Sequence, residues 1–180
     1  MTIPTASFDI DPAHSRIGFV ARHAMVTKVR GSFHEFSGRG TFVADDPSAS
    51  TLQVTIEAGS IETGNADRDG HLRGNDFFAM DEHPQITFAS TAVTSTGDDN
   101  YDVTGDLTMK GVSKPLTIPF EVAGPVVDPM GNTRIGLEGR VVVNRKDWGV
   151  NWNAAMEAGG LLVSDNVTLE FDIAAVQSAN

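Results

Sequence analysis

Between Ile61 and Thr91 the chain gathers Asp67, Arg68, Asp69, His71, Arg73, Asp76, Phe77, Phe78 and His83 in one polar segment that interrupts a run of alternating strands. Carboxylates, an imidazole and guanidinium groups at this spacing could supply the acid, base and anion clamp of a hydrolase. The same residues could open a helix, with Asp67 or Asp69 capping free backbone N–H groups and the charges facing water. Capping is the reading adopted; an enzyme using His23, Asp69 and His71 as acid or base groups is the rival. Histidines also stand at 14, 23 and 34, and imidazole is the commonest metal ligand. Their spacing shows no HExxH or His-x-His pattern, so structural hydrogen bonding is expected rather than a metal. There is no Gly-rich phosphate loop, no GxSxG elbow and no cysteine. No catalytic residue, metal or cofactor is therefore expected.

The elements that must position these residues are strands. Period-2 alternation is cleanest over residues 52–58 and 167–173, and similar runs fall near 16–25, 33–44, 85–94, 101–109, 115–123 and 134–143. Turn residues separate them, as in Asp45-Asp46-Pro47-Ser48 and Asp128-Pro129-Met130-Gly131-Asn132. About eight antiparallel strands with short links are best relieved of exposed edges by closing into a barrel. The expectation is an all-β fold: one eight-stranded antiparallel barrel, similar to lipocalins, with one or two short helices over residues 66–81 covering it. A helical turn is expected at 153–158, within a loop over 145–162. Residues 1–180 form one domain.

Bulk properties narrow the partners. The hydrophobic fraction of 40% belongs to an ordinary globular protein. With 24 Asp and Glu against 13 Lys and Arg, a net charge of −11 repels polyanions, so nucleic acid is not expected as a partner. No stretch has the length of a membrane-spanning helix, so stable membrane insertion is not expected. Residues 1–15 lack a basic n-region and an apolar h-region, which gives the expectation of a cytoplasmic protein.

Several blocks, taken in order, resemble the YceI-like proteins, a polyisoprenoid-binding, lipocalin-like family. They are Asp11-x-x-His14-Ser15 with Phe19 and His23; Gly31-Ser32-Phe33-x-x-Phe36-x-Gly38; Asp67-Arg68-Asp69-x-His71-Leu72; Asp76-Phe77-Phe78; and Pro84-x-Ile86-Thr87-Phe88-x-Ser90. Gly105-Asp106-Leu107-Thr108-x-Lys110-Gly111-Val112, Asn144-Arg145-x-Asp147-x-Gly149-Val150 and Ser164-Asp165-x-Val167 follow. The resemblance spans almost the whole chain. It implies a carrier or store that holds a polyisoprenoid lipid or isoprenoid quinone non-covalently inside the barrel.

Two readings of the strand-face residues Phe19, Phe42, Phe88, Leu107 and Met109 then stand side by side: a packed core serving an interaction module, or the wall of a dry tunnel for a prenyl tail. His23 shares a strand face with Ile17, Phe19 and Ala21, so it is expected to point inward and meet a quinone or phenol head. The segment at 62–83 is expected to lie over the barrel mouth, with Phe77 and Phe78 as a plug and Arg68, Arg73 or His71 meeting the head group. Trp148 and Trp152, in a stretch whose charges read as a solvated turn, suit either the tunnel wall or a homodimer contact.

Overall fold

Where apolar and polar side chains alternate, the backbone of the computed structural model, which describes residues 2–179, runs as strands that turn one face to a shared interior. In chain order these are β1 (Ala6–Ile10), β2 (Arg16–His23), β3 (Thr27–Phe33), β4 (Phe36–Phe42), β5 (Thr51–Glu57) and β6 (Ile61–Glu62). They continue with β7 (Gln85–Gly97), β8 (Asn100–Met109), β9 (Val112–Val127), β10 (Thr133–Asn144) and β11 (Asn166–Gln177). One α-helix, α1 (Ala66–Arg73), lies between β6 and β7. Strands β1, β4, β5, β7, β8, β9, β10 and β11 pair in that order, and β11 returns to β1 through Asp9 opposite Val176. The result is the expected closed eight-stranded antiparallel barrel.

Eleven segments make eight staves because three staves are broken once. β11 pairs with β1 near its C-terminal end and with β2 nearer its start, where Leu169 faces Phe19. β2 carries β3, and β3 carries β6, so β1/β2, β3/β4 and β5/β6 are each one stave interrupted by a short irregular link. At the first break Asp11 caps the turn Pro12–His14, accepting from Ala13 N. Ser15 Oγ there accepts from Ala174 N at 2.9 Å, replacing a ladder bond that the break removes.

The sequence reading differs from this at four places. Strands β1 and β3 fall outside the alternating runs; β1 is only five residues long, and β3 (TKVRGSF) has glycine at one of its inward positions. A Cβ on Gly31 would collide with Phe19 Cζ, so the phenyl ring of the neighbouring strand occupies the space. Residues 66–81 give one helix, and its cap is Asn65, whose side chain accepts from Arg68 N at 3.0 Å, rather than Asp67 or Asp69. Residues 153–158 are not helical; the local helix is the 3-10 turn Arg145–Trp148.

The interior has two connected apolar groups. One surrounds Ile17, Ile56, Phe88, Leu107, Phe120 and Ile173; the other, with Ile3, Phe8, Val122, Ile135 and Ala175, closes the end opposite α1. Each fully buried side chain of this size contributes about 1.5–3 kcal/mol.

Candidate ligand-binding cavity

The inward faces of the staves do not meet at the axis. They enclose a cavity of about 250 Å³ that runs from Ile3 and Tyr101 at one end to Phe77, Phe78 and Val163 at the other. Along β11 the lining residues run from Val167 to Ala175. At a rise of about 3.3 Å per residue and a tilt near 40°, that is roughly 20 Å of barrel axis. Almost nothing polar shows on this wall, so a void of this kind has no hold on water.

Seven of the residues singled out from sequence line it: Phe19, Phe42, Phe77, Phe78, Phe88, Leu107 and Met109. Their placement follows from strand pairing. Phe88 and Leu107 face each other across β7 and β8, and the Phe88 ring covers Gly105, where an added Cβ would come within 2.5 Å of Phe88 Cζ. Phe42 meets Tyr101 edge-on at 5.8 Å near the end opposite α1.

α1 and the residues after it form the cover over the other end. Leu72, Phe77 and Phe78 reach into the cavity from it. Phe77 is 6% exposed and wedged against His71 at 5.0 Å and Trp152 at 5.4 Å. Phe78 is half-buried and meets Phe33 edge-on at 6.0 Å, and Phe33 in turn packs against Phe19. Lys110 Nζ donates to Asn75 O and Gly149 O, both at 3.3 Å, pinning the cover to the β8–β9 turn and to the start of the 149–164 loop.

The polar residues expected at a head group do other work. Arg68 donates from Nε to Thr63 Oγ1 at 2.7 Å and from Nη2 to Thr63 O at 2.9 Å. Arg73 donates to Gly59 O at 2.8 Å and Ile61 O at 3.0 Å. Both guanidinium groups tie α1 to β6 and the residues flanking it, outside the cavity lining. Asp69 is buried and accepts from Thr63 N and Thr63 Oγ1 at 2.9 and 2.6 Å. His71 Nε2 lies 2.8 Å from Asp76 Oδ2, and its ring meets Trp152 edge-on at 4.6 Å. His23 is exposed: alternation assigns it to the inward face, but β2 ends there and its backbone bridges to Val163 at the rim. No hydrogen bond joins any two of His23, Asp69 and His71. Among the described residues no three His, Cys, Asp or Glu side chains stand together as a metal ion needs.

Trp148 is 3% exposed and donates Nε1–H to Leu107 O at 2.8 Å, so it packs behind the wall and is closed to a partner chain. Trp152 roofs His71 and Phe77. Arg145, which sequence placed in a solvated turn, is 4% exposed and lies on the lining. Nε donates to Ser164 O at 2.9 Å and Nη1 to Val150 O at 2.7 Å, so one side chain fastens both ends of the 149–164 loop. Burial pulls its pKa below the usual guanidinium value, and the Asp165 charge opposes that. Ala21, Val150 and Val163 also line the cavity. Alternation with Ile17 and Phe19 points to Ala21; no strand alternation assigns Val150, Val163 or Arg145 to the interior.

A family model described as the YceI-like domain matches residues 8–175. A UPF0312 protein of Pectobacterium atrosepticum is 40% identical over 143 residues, which is 79% of this chain and 74% of that relative. One of Pseudomonas aeruginosa is 40% identical over 142 residues, with the same two shares. Among solved structures, Burkholderia cenocepacia BcnA superposes with a TM-score of 0.81 at 27% identity, covering 92% of this chain and 98% of that one. A polyisoprenoid binding domain from Saccharophagus degradans, implicated in plant cell wall breakdown, shares the fold with a TM-score of 0.72 at 19% identity, covering 97% and 99%.

Proposed function

We propose that this chain, which belongs to the YceI-like domain family, binds a polyisoprenoid lipid or isoprenoid quinone non-covalently in its barrel and serves as a carrier or store. The observation that carries this reading is the cavity: long, closed by an aromatic cover and lined almost entirely by hydrocarbon. A branched hydrocarbon tail needs length and dryness rather than donors, and each buried methylene is worth about 0.8 kcal/mol before ordering costs. The Saccharophagus degradans domain, described as polyisoprenoid binding, shares the architecture. A binder rather than an enzyme is favoured because His23, Asp69 and His71 lie off the lining and are not joined to one another.

Titration with fluorescent prenyl probes of increasing length tests this. Affinity should rise with each five-carbon unit and level off once the barrel is full. Leu107→Glu, which sets a carboxylate on the dry wall, should abolish uptake. Ala21→Phe, which fills space without adding charge, should weaken it while the fold persists. A folded Ala21→Phe variant with unchanged affinity for every probe would show that the tail does not reach this end.

A further inference from the structure

The β2–β3 hairpin carries a charge opposite to that of the rest of the molecule. Residues 12–34 hold Arg16, Arg22, Lys28 and Arg30 and no carboxylate, in a chain of net charge −11. Arg16 reaches Glu170 at 3.5 Å, but no carboxylate lies within ion-pair distance of Arg22, Lys28 or Arg30 among the described residues. Register puts Arg22 directly opposite Lys28, and Arg30 opposite Val20, so the three exposed cations share the outer face. Like charges facing each other across a strand pair are destabilising, and an external anion between them lowers that cost.

The tip of this hairpin is apolar. A turn closed by Val26 N donating to His23 O at 3.1 Å has Ala24 at φ 50° and Met25 at φ 62°. Both central residues thus sit in the left-handed region that glycine and asparagine normally fill. Met25 is 67% exposed and Val26 74%. The adjoining loop adds Leu161 at 42%, and it is held to the tip by Ala24 N donating to Leu162 O at 2.8 Å. Glu157 is the one carboxylate in residues 150–163. The roots of the same two segments, Ala21 and Val163, line the cavity.

We propose that this hairpin tip docks on an anionic lipid surface. Met25, Val26 and Leu161 enter the boundary between head groups and acyl chains. Arg22 and Lys28 stand two or three residues back, about 7–10 Å higher, at the level of the phosphates. Nucleic acid would satisfy the cations but not the apolar tip, and a lipid surface satisfies both. Docking sets the covered end of the barrel against the bilayer, where a tail can pass into the cavity. The inference builds on the lipid-carrier reading for its purpose, although the contact itself does not require a bound tail.

Flotation with phosphatidylcholine vesicles, with and without phosphatidylglycerol, tests it on the full chain. The protein should float with the phosphatidylglycerol vesicles only, and salt should weaken binding. Arg22→Gln and Lys28→Gln should each lower vesicle affinity about fivefold, and Met25→Ser with Val26→Ser at least tenfold. All four substitutions are on the surface, so uptake of a soluble prenyl probe without vesicles should not change. No flotation of the unaltered chain, or equal flotation of the variants, would overturn the proposal. Displacement by a DNA duplex, together with full binding by the Met25→Ser, Val26→Ser variant, would reassign the cluster to a bare polyanion and overturn it too. Vesicle binding without probe uptake would instead leave docking standing and sink the carrier reading.

Discussion

Replacing Phe78 with alanine should speed ligand exchange while leaving the barrel folded. Phe78 lines the cavity from the cover, is half-buried, and meets Phe33 edge-on. Half of the burial energy of a phenylalanine is about 1.5 kcal/mol, and an edge-on aromatic pair adds about 0.5–1.5 kcal/mol. These contacts break when the cover lifts, so deleting them lowers the opening barrier by about 2–3 kcal/mol and speeds release roughly 30- to 150-fold. The same loss should lower Tm by about 4–12 °C in a domain of this size. Phe77 behaves differently: at 6% exposure between His71 and Trp152, its truncation should cost about 3–5 kcal/mol and destabilise the cover outright. Transfer of a fluorescent prenyl lipid from protein to acceptor vesicles reads the exchange rate, and a thermal melt reads the stability. A Phe78→Ala variant that melts lower as expected yet exchanges lipid at the unaltered rate would refute the cover as the route. The entrance would then be sought beside Phe42 and Tyr101.

Two further predictions concern what holds the frame. Asp128 accepts from Arg134 Nε at 2.7 Å and Asp11 accepts from Arg134 Nη1 at 2.8 Å. Arg134 is the main cause holding both carboxyl groups below their usual pKa, helped at Asp128 by the Asn132 backbone and at Asp11 by His14. A depressed folded-state pKa gives stability that is complete above the unfolded value near 4 and is lost as pH falls through the folded value. Arg134→Met should therefore destabilise the protein at neutral pH, with the gap from the unaltered chain narrowing in urea melts taken below about pH 4; a gap independent of pH would count against the cluster. Arg145→Met should leave the buried Val150 carbonyl without its donor, at about 1–3 kcal/mol, and strip the half-buried Ser164 carbonyl of its side-chain partner. It should also raise hydrogen exchange over 149–164, and unchanged protection there would refute the fastening role.

The barrel was legible because alternation records which face of a strand is buried, and closure follows from the absence of helices to cover the edges. The broken staves were harder to see. β3 hides its inward face behind Gly31, whose space is filled by the Phe19 ring, and only register reveals that. His23 shows the limit of the same rule: alternation gives a face, while the position of the rim depends on where β2 stops. Of the apolar residues on the cavity wall, those on strands were readable one by one from alternation, whereas Val150 and Val163 in the 149–164 loop were not. The polar ones were not, since whether Arg68, Arg73 and Arg145 meet a ligand or a backbone carbonyl depends on loops folded from distant parts of the chain. Whole-chain charge likewise concealed the cationic β2–β3 hairpin.

Native mass spectrometry of the protein purified gently from its own host, followed by organic extraction, shows whether the barrel carries a lipid. A second species heavier by the mass of one lipid is expected, with a prenyl chain in the extract, and it should be lost in the Leu107→Glu variant. A single ligand-free mass that stays unchanged after incubation with prenyl lipids and quinones would contradict lipid binding in the barrel.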